Sequence, residues 1–239
     1  MKIEAKKLHA FLKKASLDGA IETSVLRCED NTITTKAKSG NSLAVIASLK
    51  AETEEMVLPI KSMKTLLKVL NTFNGEICIE AKGNVMKLFD TGREADLVVA
   101  KEEFVDNEIK EELPFKYEAS FPLQGSVLKQ ALTNAEILGS ETFIMQVKDK
   151  AFSISSNKDK SDSMTEKTTA SYDDCKLELG PIAVNVFKVV GDVLKVGMKN
   201  NYPIRIDETT EEQSIQYFIA PLEDVENDDA GGKVQTEKV

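Results

Sequence analysis

The chain has 239 residues, and 31 Lys+Arg against 40 Asp+Glu leave a net charge of −9. That length accommodates one large domain or two smaller ones, and 41 % hydrophobic with 30 % charged residues excludes a disordered or membrane-embedded chain. No apolar run approaches the ~20 residues of a bilayer span, and Met1-Lys2-Ile3-Glu4 lacks the apolar stretch of a secretory signal. Three widely spaced cysteines, Cys28, Cys78 and Cys175, do not make a disulfide framework or a zinc site. A soluble intracellular protein without metal or cofactor is expected.

In chain order, short alternating segments predict strands over Lys2–Lys6, Ser24–Glu29, Thr32–Ala37, Leu43–Leu49 and Met56–Ile60, then Glu76–Ala81, Val85–Phe89 and Asp96–Ala100. Two helices interrupt them. Near 8–17, Leu8, Phe11, Leu12 and Ala15 share a face; near 61–72, Met63, Leu66, Leu67 and Leu70 do the same. Residues 101–116 are acidic, weakly periodic and close on Leu113-Pro114, which reads as a linker.

After the linker the pattern restarts. Strands are predicted over Tyr117–Phe121, Phe143–Lys148, Ala151–Ser155, Met164–Ala170, Cys175–Leu179, Val196–Lys199, Pro203–Ile206 and Ser214–Ala220, with helices near 126–138 and 185–194. The tail from Glu223 has five acids by Asp229 and then Gly231-Gly232, a disordered composition. Leu12-Lys13-Lys14-Ala15 matches Leu128-Lys129-Gln130-Ala131, and Lys64 with Val69-Leu70 matches Lys188 with Val193-Leu194. The two matches point to an internal repeat of a strand–helix–strands–helix–strands unit. The fold class is therefore antiparallel-rich α+β, with two similar domains of 1–100 and 117–222, a connector of 101–116 and a tail of 223–239.

No phosphate-binding loop, dinucleotide fingerprint or nucleophile elbow is present. His9 is the only histidine and falls on the polar side of its helix, so it reads as a surface residue. A non-enzymatic protein is expected. Charge, by contrast, is sorted along the chain. The first twenty residues carry +3 (Lys2, Lys6, Lys7, Lys13, Lys14 against Glu4, Asp18), and 61–70 carry +3 from Lys61, Lys64 and Lys68. At ~100° per residue those last three lie within about 60° of one another, opposite the apolar stripe. Solvated helix faces usually mix Glu with Lys, and these two do not. All basic residues but Arg27, Arg93 and Arg205 are lysines, which attract phosphate diffusely without the bidentate reading of bases. A solvated face and a phosphate-facing one both fit the pattern.

Tyr202-Pro203-Ile204-Arg205-Ile206, a polar turn, then Gln216-Tyr217-Phe218-Ile219-Ala220-Pro221-Leu222-Glu223 resembles the carboxy-terminal end of proliferating cell nuclear antigen (PCNA), the DNA polymerase sliding clamp of eukaryotes and archaea. Leu58-Pro59-Ile60-Lys61-Ser62-Met63-Lys64-Thr65-Leu66-Leu67-Lys68 resembles that family's second helix, and Leu12-Lys13-Lys14 its first. The resemblance implies the DNA-clamp fold and a homotrimeric ring around duplex DNA, bound without sequence preference. It also implies partners: a DNA polymerase, a clamp loader and other replication and repair proteins carrying a peptide motif. The location implied is the cytoplasm or nucleoid for an archaeal or viral source, the nucleus for a eukaryotic one. By this carry-over Lys13, Lys14, Lys61, Lys64 and Lys68 face DNA, with Lys129, Lys188 and Lys195 as candidates in the second domain. The partner-peptide pocket would comprise Leu43, Leu113, Pro203, Phe218, Ala220, Pro221 and Leu222. Ordinary packing explains Leu43, Pro203 and Phe218 equally well on residue type alone. Ring closure would join edge strands near Glu94–Ala100, with Glu94 and Asp96, and Ser163–Thr169, with Lys167. The third helix has Gln130, Thr133 and Glu136 on its polar side and the fourth carries Asp192 between its lysines, so the second domain should carry less positive field. Two other readings stand beside this one. The first is a clamp-like subunit of a heteromeric ring or a non-replicative adaptor. The second is an unrelated α+β binding protein or enzyme.

Overall fold

The computed structural model describes residues 1–105, 109, 117, 119–157, 163–169 and 174–222. Most of the expected connector, Leu113 included, and the tail from 223 lie outside the described residues. The first half runs β1 (Lys2–Glu4), α1 (Ala5–Ala15), β2 (Ser24–Glu29), β3 (Thr32–Ser39), β4 (Leu43–Lys50), β5 (Met56–Ile60), α2 (Met63–Leu70), β6 (Glu76–Lys82), β7 (Val85–Phe89) and β8 (Glu94–Val98). The second runs β9 (Ala119–Gln124), α3 (Gly125–Leu138), β10 (Phe143–Lys148), β11 (Ala151–Asn157), β12 (Ser163–Thr169), β13 (Cys175–Leu179), α4 (Ile182–Val189), β14 (Val193–Met198), β15 (Ile204–Thr209) and β16 (Gln213–Ile219). Each half is thus strand, helix, four strands, helix, three strands. The α+β class and the four helices agree with the sequence reading.

Where element bounds differ from expectation, local chemistry explains it. α1 begins at Ala5, earlier than position 8, because Ala5 is fully buried and Lys6 and Lys7 are good helix formers. α4 forms at Ile182–Val189, earlier than 185–194. Pro181, which favours a helix start, precedes it, and Gly191 lies beyond its end. Val193 to Val196 alternate exposed and buried, so they join β14 instead.

Three antiparallel sheets result. Two have four strands, ordered β1-β6-β7-β8 and β12-β11-β10-β13; the third has eight, ordered β5-β2-β3-β4-β16-β15-β14-β9. The long sheet is the two halves joined through β4 and β16. Helices pair within each half, α1 on α2 and α3 on α4. Their apolar stripes bury Leu8, Phe11, Leu12, Leu66, Leu67, Leu128, Val186 and Phe187 against one face of the sheets.

The repeat is real in its element order but sits in a different register from the sequence matches. Buried Ala5, Leu8, Phe11 and Ala15 correspond to buried Gly125, Leu128, Ala131 and Ala135; Met63, Leu66, Leu67 and Leu70 correspond to Ala183, Val186, Phe187 and Val190. Both sets lie 120 positions apart. The matches Leu12/Leu128 and Lys64/Lys188 each miss this spacing by four residues, one in each direction. A slip of one helical turn keeps the same face, so amphipathic pattern alone does not detect it.

Candidate functional site

The outward faces of α1 and α2 gather the lysines. On α1, exposed Lys6 and Lys13 are seven residues apart and share one azimuth. On α2 and the turn before it, Lys61, Lys64 and Lys68 are all exposed, and among the described residues none of them has an ion-pair partner. Ser62 caps α2, its hydroxyl accepting from Thr65 N at 3.3 Å. Gly19 fixes how the α1 end meets α2. Its φ is +83°, and a Cβ there would come within 2.6 Å of Lys64 Cγ. Lys13 is 4.0 Å from Asp18, both well exposed, which leaves its charge largely available. Lys6 escaped the sequence reading, although its seven-residue spacing from Lys13 was a usable signal. His9 is half-buried.

Other expected lysines are placed differently. Lys14 is turned to the junction of the halves, where its Nζ meets the carboxylate of Glu208 on β15; that carboxylate also accepts from Gly191 N at 2.8 Å. Lys7, seven residues earlier on α1, reaches Glu212 at 3.2 Å. This stripe of α1 therefore ties the halves together. Lys129 is 3.2 Å from Asp192. Lys188 is exposed on α4.

Lys195 departs from expectation. It stands opposite Asp207 in the β14–β15 ladder, while Leu194 and Val196 beside it are buried beneath the helices. Strand alternation puts Lys195 on the sheet face away from the helices. It does not share the lysine face. Aligned at 120, Lys6, Lys13, Lys14, Lys61 and Lys64 correspond to Ser126, Thr133, Asn134, Pro181 and Val184, and only Lys68 keeps a lysine, Lys188. The cationic face belongs chiefly to the first half.

The expected pocket residues divide between the two faces of the long sheet. Leu43 lies opposite Ile219, and both are buried on the helix side. Phe218 lies opposite Ala44 and Arg205, on the other side, where it is only 5 % exposed. Leu43 is thus a core residue on the opposite face from Phe218. Beyond β16 the chain continues along two other strands' ends. Ala220 N donates to Ser42 O at 2.8 Å and Leu222 N to Glu178 O at 2.7 Å. Leu222 packs on Gly180, where a Cβ would approach Leu222 Cδ2 to 2.9 Å, yet Leu222 is still 44 % exposed. Pro203 and Pro221 are half-buried nearby, next to the Ile204–Ile219 pair. Phe218, Ala220, Pro221, Leu222 and Pro203 therefore meet at one end of β15 and β16.

Next to Phe218 on this outer face, the Arg205 guanidinium lies 4.9 Å from the Tyr117 ring centroid. Tyr117 covers Gly197, where a Cβ would meet the ring at 2.9 Å. Burial pushes the Tyr117 hydroxyl up to about 12. Burial also raises the Asp207 carboxyl, opposed by Arg205, whose Nε is 3.1 Å away, and by Lys195. Among the described residues no helix is long and apolar enough to cross a membrane, and no group of three His, Cys, Asp or Glu is arranged to hold a metal.

No family model matches the chain, and no curated protein matches it in sequence. Solved structures match over nearly its whole length. PCNA of A. fulgidus, bound to the C-terminal region of FEN-1, superposes with a TM-score of 0.78 at 14 % identity, covering 92 % of this chain and 96 % of that one. PCNA of Entamoeba histolytica gives 0.77 at 13 %, covering 92 % and 97 %. The PCNA2–PCNA3 complex of Sulfolobus tokodaii gives 0.76 at 15 %, covering 93 % and 99 %. The DNA polymerase III beta subunit of Thermotoga maritima gives 0.71 at 16 %, covering 93 % of this chain and 65 % of that one. Two strand–helix repeats that share a sheet and carry their helices on one face are the architecture of sliding clamps, and this chain has the sliding-clamp fold.

Proposed function

We propose that the chain is a sliding clamp, a DNA polymerase processivity factor that closes around duplex DNA as a ring of three copies. The observation that carries this is the exposed lysine face of α1 and α2, set on the helix side of a clamp fold in a chain that is otherwise acidic. Lys6, Lys13, Lys61, Lys64, Lys68 and Lys188 attract backbone phosphate without reading bases, while the remaining acidic surface repels DNA. Enclosure supplies residence: weak contacts let the ring slide, and dissociation waits for the ring to open. The protein performs no chemistry of its own, and a loader ATPase opens it. Phe218, Ala220, Pro221, Leu222 and Pro203 form the pocket for a hydrophobic anchor of polymerase and other replication and repair proteins.

Light scattering tests the ring. Three copies of 26.4 kDa give about 79 kDa, and with a loader the protein should stay on nicked circular duplex and leave it on linearisation. The A. fulgidus FEN-1 C-terminal peptide is a ready probe for the pocket. A mass that stays at 26.4 kDa would favour a second reading, a subunit of a heteromeric ring, for which the two-subunit S. tokodaii complex is a structural precedent.

A further inference from the structure

The outer face of the second half carries a groove that belongs neither to the lysine face nor to the anchor pocket. It is an open hollow of about 850 Å³, and its lining includes Tyr117, Ser120, Pro122, Val193, Lys195 and Asp207. The ladders set these residues in two rows across β9, β14 and β15. In one row Ser120 lies opposite Gly197 and Gly197 opposite Arg205; in the next, Pro122 lies opposite Lys195 and Lys195 opposite Asp207. Both rows are on the sheet face away from the helices. Gly197 has no side chain, so the Tyr117 ring lies across the first row, with the Arg205 guanidinium 4.9 Å from its centroid. The second row forms the floor beside that ring.

Three oxygens of this lining stand out. Tyr117 Oη, Ser120 Oγ and Asp207 Oδ1 are buried, and none has a hydrogen-bond partner among the described residues. Such atoms are rare in folded chains, because each gives up its hydration without gaining a bond. The other Asp207 oxygen lies 3.1 Å from Arg205 Nε, so Oδ1 is the one still to be served. Their chemistry selects a ligand. Asp207 Oδ1 only accepts, whereas the Tyr117 and Ser120 hydroxyls can donate. A cationic ligand would meet Lys195 and Arg205. An anionic one would face the Asp207 charge and leave Oδ1 unserved. A neutral carboxamide carries its N–H and C=O side by side and satisfies both kinds of oxygen. Pro122 and Val193, both exposed, add apolar sides at the far end of the groove.

We propose that this groove binds an extended peptide segment of a partner protein through a glutamine or asparagine side chain. The carboxamide donates to Asp207 Oδ1 and accepts from the Tyr117 hydroxyl, while Ser120 donates to a main-chain carbonyl of the segment. Small apolar neighbours of the carboxamide residue pack on Pro122 and Val193. The Lys195 side chain, exposed on the floor, is long and flexible and swings aside to admit the segment. Binding here needs neither ring closure nor DNA, so its failure leaves the clamp reading untouched.

Three blocked tripeptides that differ only in the central side chain test it: Ala-Gln-Ala, Ala-Glu-Ala and Ala-Lys-Ala. Each is titrated against the isotope-labelled full chain and followed by NMR. Ala-Gln-Ala should shift the backbone amides of Ser120, Val193, Lys195 and Asp207 saturably, and more tightly than the other two. Tyr117→Phe keeps the ring on Gly197 and should weaken Ala-Gln-Ala roughly two- to tenfold, the range of one hydrogen bond. Asp207→Asn should turn the preference to Ala-Glu-Ala, because an amide then donates where the carboxylate accepted. Wild-type shifts that are equal for the three probes, or absent from these residues, overturn the proposal. So does a wild-type preference for Ala-Glu-Ala or Ala-Lys-Ala, which marks an acidic or a basic segment as the ligand. An Ala-Gln-Ala affinity unmoved by Tyr117→Phe, or a preference unmoved by Asp207→Asn, overturns it as well. The wild-type comparison uses no variant, so a substitution that unfolds the chain does not rescue the proposal.

Discussion

Lys14 on the first helix and Glu208 on the fifteenth strand, 194 residues apart, form an ion pair that holds the two halves of the chain together. The Glu208 side chain is only 7 % exposed, and its second oxygen accepts from Gly191 N at 2.8 Å. A carboxylate removed from water in this way depends on its partners. Lys14→Ala leaves it unpaired and should cost about 3 kcal/mol, whereas replacing both residues by apolar ones of similar volume should cost much less. Urea unfolding of the two variants measures the difference, and equal losses would show that the pair does not act as a unit.

The lysine face predicts a salt signature. Replacing Lys61, Lys64 and Lys68 with Ala should leave the melting temperature within a few degrees and weaken duplex binding. The slope of log K against log salt should flatten by about 3, at ~0.9 for each phosphate no longer neutralised. Lys195→Ala, on the other face of the sheet, should leave that slope unchanged. Fluorescence titration at four salt concentrations separates the two, and equal effects would remove the helical face from the interface.

Leu43 and Phe218 lie on adjacent strands but on opposite faces of the sheet, so their substitutions should differ in their effect on binding. Leu43→Ala empties a core position and should destabilise the fold by about 2–5 kcal/mol. Phe218→Ala also removes a buried side chain, at about 3–5 kcal/mol, and should in addition lower affinity for a hydrophobic anchor peptide at least tenfold, about 1.4 kcal/mol or more, which Leu43→Ala should not. Paired calorimetry of unfolding and peptide titration reads both, and a peptide affinity unmoved by Phe218→Ala would empty the proposed pocket.

Cys28 is buried beneath the helices, and burial pushes its thiol up to about 11. At pH 8 the thiolate is therefore about a thousandth of the total, and only the thiolate reacts. Cys175 is buried as well and Cys78 half-buried. Brief iodoacetamide treatment of the native chain should label Cys78 first, and labelling of Cys28 should rise tenfold per pH unit up to about 11 if the chain stays folded. Mass spectrometry after quenching follows each site; early labelling of Cys28 at pH 8 would contradict its burial.

Local chemistry alone determined most elements of this protein. Strand alternation and the stripes Leu8/Phe11/Leu12 and Met63/Leu67/Leu70 place strands and helices by period, because period depends only on neighbours along the chain. The lysine face was legible for the same reason: Lys61, Lys64 and Lys68 share an azimuth wherever that helix packs. Other features required tertiary structure. The repeat register of 120 had to come from which residues are buried, since a slip of one turn leaves a helix face unchanged. Lys14 and Lys13 are adjacent in sequence, yet one is tied to Glu208 and the other faces outward, because α1 borders the second half on only one side. The family resemblance implies roles for Lys195 and Leu43, but a sheet has two faces and alternation does not say which one the helices cover. That choice is made where β4 meets β16, by a pairing between residues more than 160 positions apart.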